Sequence, residues 1–332
     1  MPTMPPPARA TLRAALRAAL RDLFGAALRR WRPRPRCYAF HYERVLGTSL
    51  ELQVVATHRA AAGRAESAAL AEIDRLERVL SGYASASELA RWLASGGEPV
   101  PVSPELAEVL EAAEAWRRYT GGAFDPVAVS RVVAPPGPRW VVDRGRGVAS
   151  GLTASGLTAS RLTTLPVSLD ALAKGYVVDR AAACARQVDG VTQVLVNVGG
   201  DLRHHGSRAL TVGVTDPRAP SDNAPPLATV RIRDEALCTS GGYFRAVSSG
   251  GRATSHIVDP RTGAPAARVL GASVVAPDCM TADALSTAFS VLSPPESVAL
   301  ADALPGVGCL LVEADGTVTT SAEWRRRSES IA

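Results

Sequence analysis

A carboxylate and a hydroxyl stand four residues apart in the segment TADALST, which covers residues 281–287. In a helix, Asp283 and Thr287 lie one turn apart on one face. The apolar side chains of the same helix, Leu285, Phe289 and Leu292, point to the opposite side. Oxygen atoms of these two kinds suit Mg²⁺, which keeps several waters and takes further ligands from phosphates. An ordinary solvated helix face gives the same pattern, so this segment alone leaves both interpretations open.

A histidine opens the segment HIVDPRTG, which covers residues 256–263. The pattern places His256 at the end of a strand, just before an Asp-Pro-x-x-Gly turn. An imidazole in this position can act as a general base or bind a phosphate. An isolated histidine can equally be structural, and the segment alone does not decide between the two roles.

Two further segments combine glycines with charged side chains. SLDALAKGYVVD, residues 168–179, contains the only lysine of the chain, Lys174, and VNVGGD covers residues 196–201. Glycine lets the backbone approach a ligand closely, and the ammonium can bind an anion. The chain has no GxGxxG and no GxxxxGK[ST] motif, which excludes a Rossmann fingerprint and a P-loop. A fourth segment, TGGAFDP at 120–126, is typical of a helix C-cap followed by a turn.

The hydrophobic pattern predicts the elements that must position these segments. Helices are expected at 59–81, 104–119, 170–187, 280–292 and 296–303. Strands are expected within 38–57 and at 194–198, 209–215, 227–233, 253–258 and 271–276, with a closing hairpin over 308–324. The tandem GLTAS repeat at 151–160 is expected to be a low-complexity loop. Strands and helices do not alternate regularly, which indicates an α+β fold.

The composition excludes several classes of protein. The 332 residues are 46% hydrophobic and 21% charged, which excludes a largely disordered chain. Five cysteines without a CxxC motif exclude a disulfide framework and a zinc ribbon. No apolar run is long enough to span a membrane. Residues 1–36 hold nine of the arginines, so the rest of the chain is slightly acidic and we expect no nucleic-acid partner.

The arginine-rich start of the chain is expected to be an extension of a single domain. Residues 1–36 form the predicted extension, and residues 37–332 form the predicted domain. Within the extension, residues 8–31 combine an apolar helical stripe with a row of arginines. Such a helix can lie on an anionic membrane surface. The alternatives are a packing or frayed extension, or a start codon assigned too far upstream.

Eight segments together resemble the ApbE family, the FAD:protein FMN transferases. They are VLGTSLEL, SGYASASEL, TGGAFDP, SLDALAKGYVVD, VNVGGD, TSGGYFR, SHIVDPRTG and TADALSTAF. They occur in family order and cover about residues 40–310. The resemblance implies an α+β fold of mixed sheet and helices, with FAD bound in a central cleft.

The resemblance also implies a reaction and its partners. Such enzymes split the pyrophosphate of FAD with Mg²⁺, attach FMN to a Thr or Ser hydroxyl of an acceptor protein, and release AMP. The acceptor is typically a flavin-carrying subunit of a membrane redox complex. Two alternatives stay open from the sequence: hydrolysis of FAD to FMN and AMP, and a non-catalytic FAD-binding protein. We expect a cytoplasmic enzyme that contacts the inner membrane peripherally through residues 8–31, although the sequence leaves export open.

Individual roles follow from the same resemblance. His256 would activate the acceptor hydroxyl. The metal would be held by Asp283 and Thr287, with Ser286 nearby and a contribution from the Ala171 position. The FAD site would be lined by Leu46, Tyr83, Ala123, Phe124, Asp125, Ser168, Lys174 and Ile257.

The sequence departs from the usual family pattern at four positions. Ser168 stands where many relatives have Asp, and Leu46 where many have Met. Trp92 stands where Asn is common, and Gly242 where Asp is usual. None of the four belongs to the metal set, so we expect an active enzyme, with Ser168 affecting the affinity for FAD.

Overall fold

The computed structural model describes residues 34–127, 133, 136–144, 157–219, 224–241, 247–249, 252–254 and 258–331. These residues form seven helices and sixteen strands. The helices are α1 (Arg59–Leu80), α2 (Glu88–Ala94), α3 (Pro104–Tyr119), α4 (Asp170–Arg186), α5 (Cys279–Phe289), α6 (Pro294–Ala303) and α7 (Ala322–Arg327). The first eight strands are β1 (Arg36–Val45), β2 (Thr48–Ala56), β3 (Val100–Pro101), β4 (Trp140–Asp143), β5 (Thr158–Arg161), β6 (Val191–Val198), β7 (Asp201–His205) and β8 (Leu210–Val214). The others are β9 (Ala228–Ile232), β10 (Ala236–Gly241), β11 (Val247–Ser249), β12 (Arg252–Thr254), β13 (Val269–Ala276), β14 (Gly308–Glu313), β15 (Val318–Thr320) and β16 (Ser328–Ile331).

Eight of the strands form one antiparallel sheet in the order β1-β2-β6-β7-β10-β13-β14-β15. Two smaller antiparallel sheets have the orders β16-β9-β8 and β3-β5-β4, and β11 pairs with β12. Antiparallel sheets joined by irregularly placed helices are the signature of an α+β protein. The predicted fold class is therefore confirmed.

The large sheet is covered on both faces, as the alternation of side chains along its strands requires. In β6, Val194 and Val196 pack into the core formed with the helices, whereas Leu195 packs into a second core. Helices α1, α4 and α5 cover the first face. Strands β8 and β9 and the buried Trp324 of α7 cover the second. Helix α5 is thus enclosed between the sheet and α4.

Helices with explicit end signals lie where the sequence predicts them. The Ser103 side chain accepts the N–H of Leu106 at the start of α3, and Pro104 is its first residue. The helix ends before Gly121 and Gly122, whose φ angles of 59° and 83° lie in the left-handed region that glycine adopts easily. The predicted C-cap and turn are confirmed.

Other predicted boundaries are wrong. The closing hairpin ends with β15 at Thr320, because Ser321 caps a new helix, α7, by accepting the N–H of Trp324. The predicted helix 280–292 ends at Phe289. The end of the GLTAS repeat is not a loop, because residues 158–161 pair with β3 and β4 as strand β5. The predicted strand 253–258 is described only in part: Arg252–Thr254 form β12, Val258 pairs with Pro265 in an isolated bridge, and residues 255–257 lie outside the described residues.

Several predicted features lie outside the described residues. They are the amphipathic segment 8–31, the first copy of the repeat, Gly242, His256 and Ile257. Within the part of the chain that the structure describes, no helix is both long enough and apolar enough to cross a membrane. The predicted membrane contact of residues 8–31 stays a prediction.

Candidate active site

Helix α5 carries Asp283 into the interior of the protein. The residue is only 3% exposed, and its neighbours Ala282, Ala284 and Leu285 are fully buried. The helix packs against β10, β13 and α4, so it has no solvated face at this point. The interpretation of this segment as an ordinary surface helix is therefore wrong. Thr287, one turn later, is half-buried.

The Asp283 carboxylate faces the first turns of α4. Its Oδ2 atom accepts the N–H of Gly175 at 3.1 Å. In a regular helix this N–H would bond to the carbonyl of Ala171, four residues earlier. The Asp283 carboxylate therefore competes with the Ala171 carbonyl for one donor. The structure thus brings the Ala171 turn, predicted from family resemblance to contribute to the metal site, next to Asp283.

Lys174 forms an ion pair with Asp201 on the neighbouring strand β7. Asp201 is 1% exposed, whereas the side chain of Lys174 is 31% exposed. The ammonium therefore lies between a buried carboxylate and solvent, where it can also reach a bound anion. The sequence pointed to the VNVGGD segment but did not assign a role to Asp201. An acidic residue two glycines after the end of a largely apolar strand was the signal for it.

The charges around Asp283 are not balanced by the described side chains alone. Burial and the negative charge of Asp201 raise the pKa of the Asp283 carboxyl well above its ordinary range. Burial lowers the pKa of the Lys174 ammonium, but the charges of Asp201 and Asp283 outweigh that effect and raise it. Two buried carboxyl groups thus share one ammonium. A second cation would let Asp283 ionise.

Three hydroxyl groups lie beside this cluster. Ser286 Oγ donates to the carbonyl of Asp283 at 3.0 Å and lies 2.8 Å from Ser240 Oγ. Ser240 Oγ is also 3.4 Å from Thr287 Oγ1. Ser240 lies in β10, within the TSGGYFR segment, and the sequence analysis did not single it out. Its place beside both hydroxyls follows from the pairing of β10 with the sheet under α5.

The donor set suits a hard cation such as Mg²⁺. Among the described residues, no three His, Cys, Asp or Glu side chains cluster as a metal-binding group. A cation here would be held by the Asp283 carboxylate, the Thr287 hydroxyl and the Ala171 carbonyl, completed by water or substrate oxygens. Such all-oxygen sets with few protein ligands are typical of Mg²⁺, whereas zinc sites use Cys and His. The residues present therefore fit the predicted metal.

Tyr83 and Ser168 meet at the first residue of α4. The Tyr83 side chain is 83% exposed, and its hydroxyl donates to Asp170 Oδ2 at 3.0 Å. Ser168 Oγ accepts the N–H of Asp170 at 3.2 Å, and its own N–H donates to the carbonyl of Pro126. Asp170 lies one turn before Lys174. Two residues predicted to line the FAD site are thus brought to the same helix end as Lys174.

The other predicted FAD-site residues make other contacts or lie outside the described residues. Ala123 and Phe124 are buried in the main core. Asp125 is buried in an ion pair with Arg139 at 2.6 Å. Leu46 lies in the turn between β1 and β2, with a φ angle of 49°, and is half-buried. Their role in FAD binding, and the roles of His256 and Ile257, stay predictions.

Comparison with known proteins places this chain in a family. The model of the ApbE family matches residues 46–311. The FAD:protein FMN transferase of Treponema pallidum (strain Nichols) is 32% identical over 329 residues, covering 88% of each chain. The FAD:protein FMN transferase of Rhodobacter capsulatus is 29% identical over 310 residues, covering 86% of this chain and 58% of the relative.

Solved structures show the same fold. The crystal structure of the ApbE protein from Thermotoga maritima superposes with a TM-score of 0.75 at 25% identity, covering 89% of this chain and all of the other. The apo form of the flavinyl transferase ApbE from Pseudomonas stutzeri superposes with a TM-score of 0.68 at 22% identity, covering 90% and 98%. Family model, relative and fold agree over most of the chain, which therefore belongs to the ApbE family.

Proposed function

We propose that this chain transfers FMN from FAD to a threonine or serine hydroxyl of an acceptor protein, in an Mg²⁺-dependent reaction that releases AMP. The chain belongs to the ApbE family, and its relatives share the name FAD:protein FMN transferase, which supports flavin transferase activity. One observation supports the Mg²⁺-dependent transfer in particular. A buried carboxylate, Asp283, lies within one cluster with the only lysine of the chain and with hydroxyl and carbonyl oxygens.

The proposed step exchanges one phosphorus–oxygen bond for another. The acceptor hydroxyl oxygen attacks the phosphorus on the FMN side of the pyrophosphate and forms a phosphoester bond. The bridging bond to the AMP phosphate breaks, and AMP leaves with the electron pair. The hydroxyl proton has to be removed during attack, and we propose that His256 accepts it. Such transfers depend mainly on positioning and on charge neutralisation.

Residues of this chain supply both requirements. The ammonium of Lys174, whose side chain is 31% exposed, would bind pyrophosphate oxygens while Asp201 fixes its position. Asp283, Thr287 and the Ala171 carbonyl would hold Mg²⁺, which when bound neutralises charge on the phosphoryl oxygens. The close contact of α4 with α5 keeps these groups in one place, so little reorganisation is needed before attack.

The acceptor and the location of the enzyme are further parts of the proposal. We propose that the acceptor is a flavoprotein subunit of a redox complex, as the family resemblance implies. We also propose a cytoplasmic enzyme that contacts the inner membrane peripherally. The support for this contact is the sequence of residues 8–31, with its apolar stripe and its arginines.

The test follows AMP and covalently bound flavin. Purified protein is incubated with FAD and Mg²⁺, with and without a threonine-containing acceptor domain. We expect AMP only with the acceptor, together with flavin that stays on the acceptor after denaturation. AMP without acceptor would indicate a hydrolase instead, and FAD binding without AMP under either condition would indicate a binding protein.

The variant Asp283→Asn tests the predicted metal ligand. Asparagine keeps the size of the side chain and an oxygen for the Gly175 N–H, but it lacks the negative charge. We expect the Mg²⁺-dependent release of AMP to fall by roughly 100-fold or more, in the range seen when charge stabilisation of a transition state is lost. Wild-type activity in this variant, at the same Mg²⁺ concentration, would refute the assignment.

A further inference from the structure

Asp179, in the third turn of α4, contacts two other elements of the site through one carboxylate. Both of its oxygens accept the N–H of Cys279 at 2.9 Å, and Oδ2 also accepts the N–H of Met280 at 2.9 Å. Its Oδ1 atom lies 3.3 Å from Nε of Arg203. The side chain of Asp179 is only 19% exposed, and that of Arg203 is 9% exposed. These contacts are therefore largely shielded from solvent.

The partners of Asp179 are the neighbours of the proposed site residues. Cys279 and Met280 are the first two residues of α5, one turn before Asp283. Arg203 lies on β7, two residues after Asp201. The carboxylate of Asp179 thus joins α4 to the helix that carries Asp283 and to the strand that holds Lys174 in place. The contacts of Gly175 with Asp283 and of Lys174 with Asp201 connect the same three elements.

A carboxylate suits this junction for two reasons. The first N–H groups of a helix have no partner within it, and negative charge is favourable there. The side chain of Asp278, the N-cap of α5, accepts the N–H and the hydroxyl of Thr281, which leaves the N–H groups of Cys279 and Met280 to Asp179. The buried guanidinium of Arg203 also needs a negative partner. Burial raises the pKa of the Asp179 carboxyl to about 6, so it is ionised at pH 8.

We propose that Asp179 is a positioning residue of the metal site. Its carboxylate fixes where α5 begins relative to α4 and β7, and so fixes the Asp283 carboxylate beside the Ala171 carbonyl. Asp179 itself is not one of the residues proposed to hold the metal or FAD. The inference rests on the proposed function, because it takes Asp283 and Ala171 as ligands of Mg²⁺. Replacing a residue that holds metal ligands in position without binding the metal typically lowers the metal affinity by 10- to 100-fold.

The experiment compares two capping carboxylates of the same helix. Asp179→Asn and Asp278→Asn are made in the full chain at pH 8, and Mg²⁺ binding is measured by titration calorimetry with and without FAD. The Mg²⁺ concentration for half-maximal AMP release is measured in parallel. We expect Asp179→Asn to weaken Mg²⁺ binding by roughly 10- to 100-fold. Asp278→Asn should leave the melting temperature nearly unchanged and change Mg²⁺ binding by less than about twofold, because asparagine caps a helix about as well as aspartate and the side-chain contacts of Asp278 are confined to α5.

A second variant covers the case in which Asp179→Asn leaves Arg203 with only the more distant carboxylate of Asp234, at 4.0 Å, and does not fold. The pair Asp179→Asn with Arg203→Gln removes both charges, and we expect the same weakening of Mg²⁺ binding. If a folded Asp179 variant bound Mg²⁺ as tightly as the wild type does, the positioning role of Asp179 would be overturned and the proposed function would be unaffected. If the wild type itself bound no Mg²⁺, the proposed function would fail together with it.

Discussion

Replacing Gly175 by alanine should lower the stability of the protein and weaken its response to Mg²⁺, although alanine is the better helix former. The glycine lies where α4 touches the start of α5. A Cβ atom there would lie 2.4 Å from the carbonyl oxygen of Cys279, 2.7 Å from its carbonyl carbon, and 2.9 Å from Cα of Met280. All three are backbone atoms, so no change of side-chain rotamer removes the overlap. The two helices would have to separate.

The size of the effect follows from two opposing terms. Alanine in an open helix position stabilises by about 0.5–1 kcal/mol relative to glycine. The shortest contact at Gly175 is about 1 Å below an ordinary van der Waals distance, and overpacking of this kind typically costs about 1–3 kcal/mol. The net change is a loss of roughly 1–2 kcal/mol in the free energy of unfolding. In a domain of this size, that lowers the melting temperature by roughly 2–8 °C.

Separation of the helices would also disturb the metal site. The Gly175 N–H and Asp283 Oδ2, now 3.1 Å apart, lie directly at the contact. We therefore expect Gly175→Ala to need more Mg²⁺ for half-maximal AMP release than the wild type. Both effects have one cause, so they should appear together.

Gly63→Ala is the matched control for this prediction. Gly63 lies inside α1, and a Cβ atom there would meet no atom within 4 Å. We expect it to raise the free energy of unfolding by about 0.5–1 kcal/mol without changing the dependence on Mg²⁺. Urea denaturation and AMP release measure the two quantities. If Gly175→Ala were as stable as Gly63→Ala and kept the wild-type dependence on Mg²⁺, the close contact between the helices would be refuted.

Two further predictions concern ion pairs. Lys174→Met should destabilise the fold by roughly 3–5 kcal/mol, because the buried Asp201 loses its counter-charge. Combining it with Asp201→Asn should restore most of the stability measured in urea but no FMN transfer, and an active double variant would refute the role of Lys174. Glu72→Gln should cost no more than about 1 kcal/mol at pH 7, because its partners Arg75 and Arg180 are 39% and 48% exposed. The hydrogen bond from Arg75 lowers the pKa of Glu72, so this stabilisation is complete above the ordinary value of 4.5 and is lost as the pH falls through the lowered pKa. Stability curves of the two proteins should therefore converge in acid, and a constant difference down to pH 3 would contradict the assignment.

Elements with local end signals could be predicted from the sequence, whereas short paired strands could not. Helix α3 has its cap serine, first-turn proline and final glycines within the segment itself. Strand β3 has only two residues, and it exists because Val100 and Pro101 pair with residues 159 and 158. Two residues are too few to show the alternation of apolar and polar side chains that marks a strand, so the sequence gives no signal for β3. The second GLTAS copy supplies three of the four residues of β5, and Ala159 is the only apolar residue among the four, so no alternation marks this strand in the sequence.

The grouping of Asp283 with Thr287 was visible in the sequence because helical spacing is local. Their burial was not visible, since it depends on α4 and on strands that lie far along the chain. A polar residue in an apolar helix can face solvent or a buried partner, and spacing alone does not distinguish the two. For that reason the interpretation of residues 281–287 as a solvated helix face was wrong.

Asp179 and Asp201, to which the sequence analysis assigned no role, share a sequence feature that predicts a buried carboxylate with a partner. Asp179 directly follows the apolar stretch GYVV, and Asp201 follows the largely apolar strand β6 after a turn of two glycines. A carboxylate carried into a core by such a stretch needs a positive charge or N–H donors, because an unpaired buried charge is strongly unfavourable. Lys174, the only lysine of the chain, was a visible candidate partner for one of them. The helix N-terminus that satisfies Asp179 lies 100 residues away, so the sequence could predict that a partner exists but not that it is the start of the helix carrying Asp283.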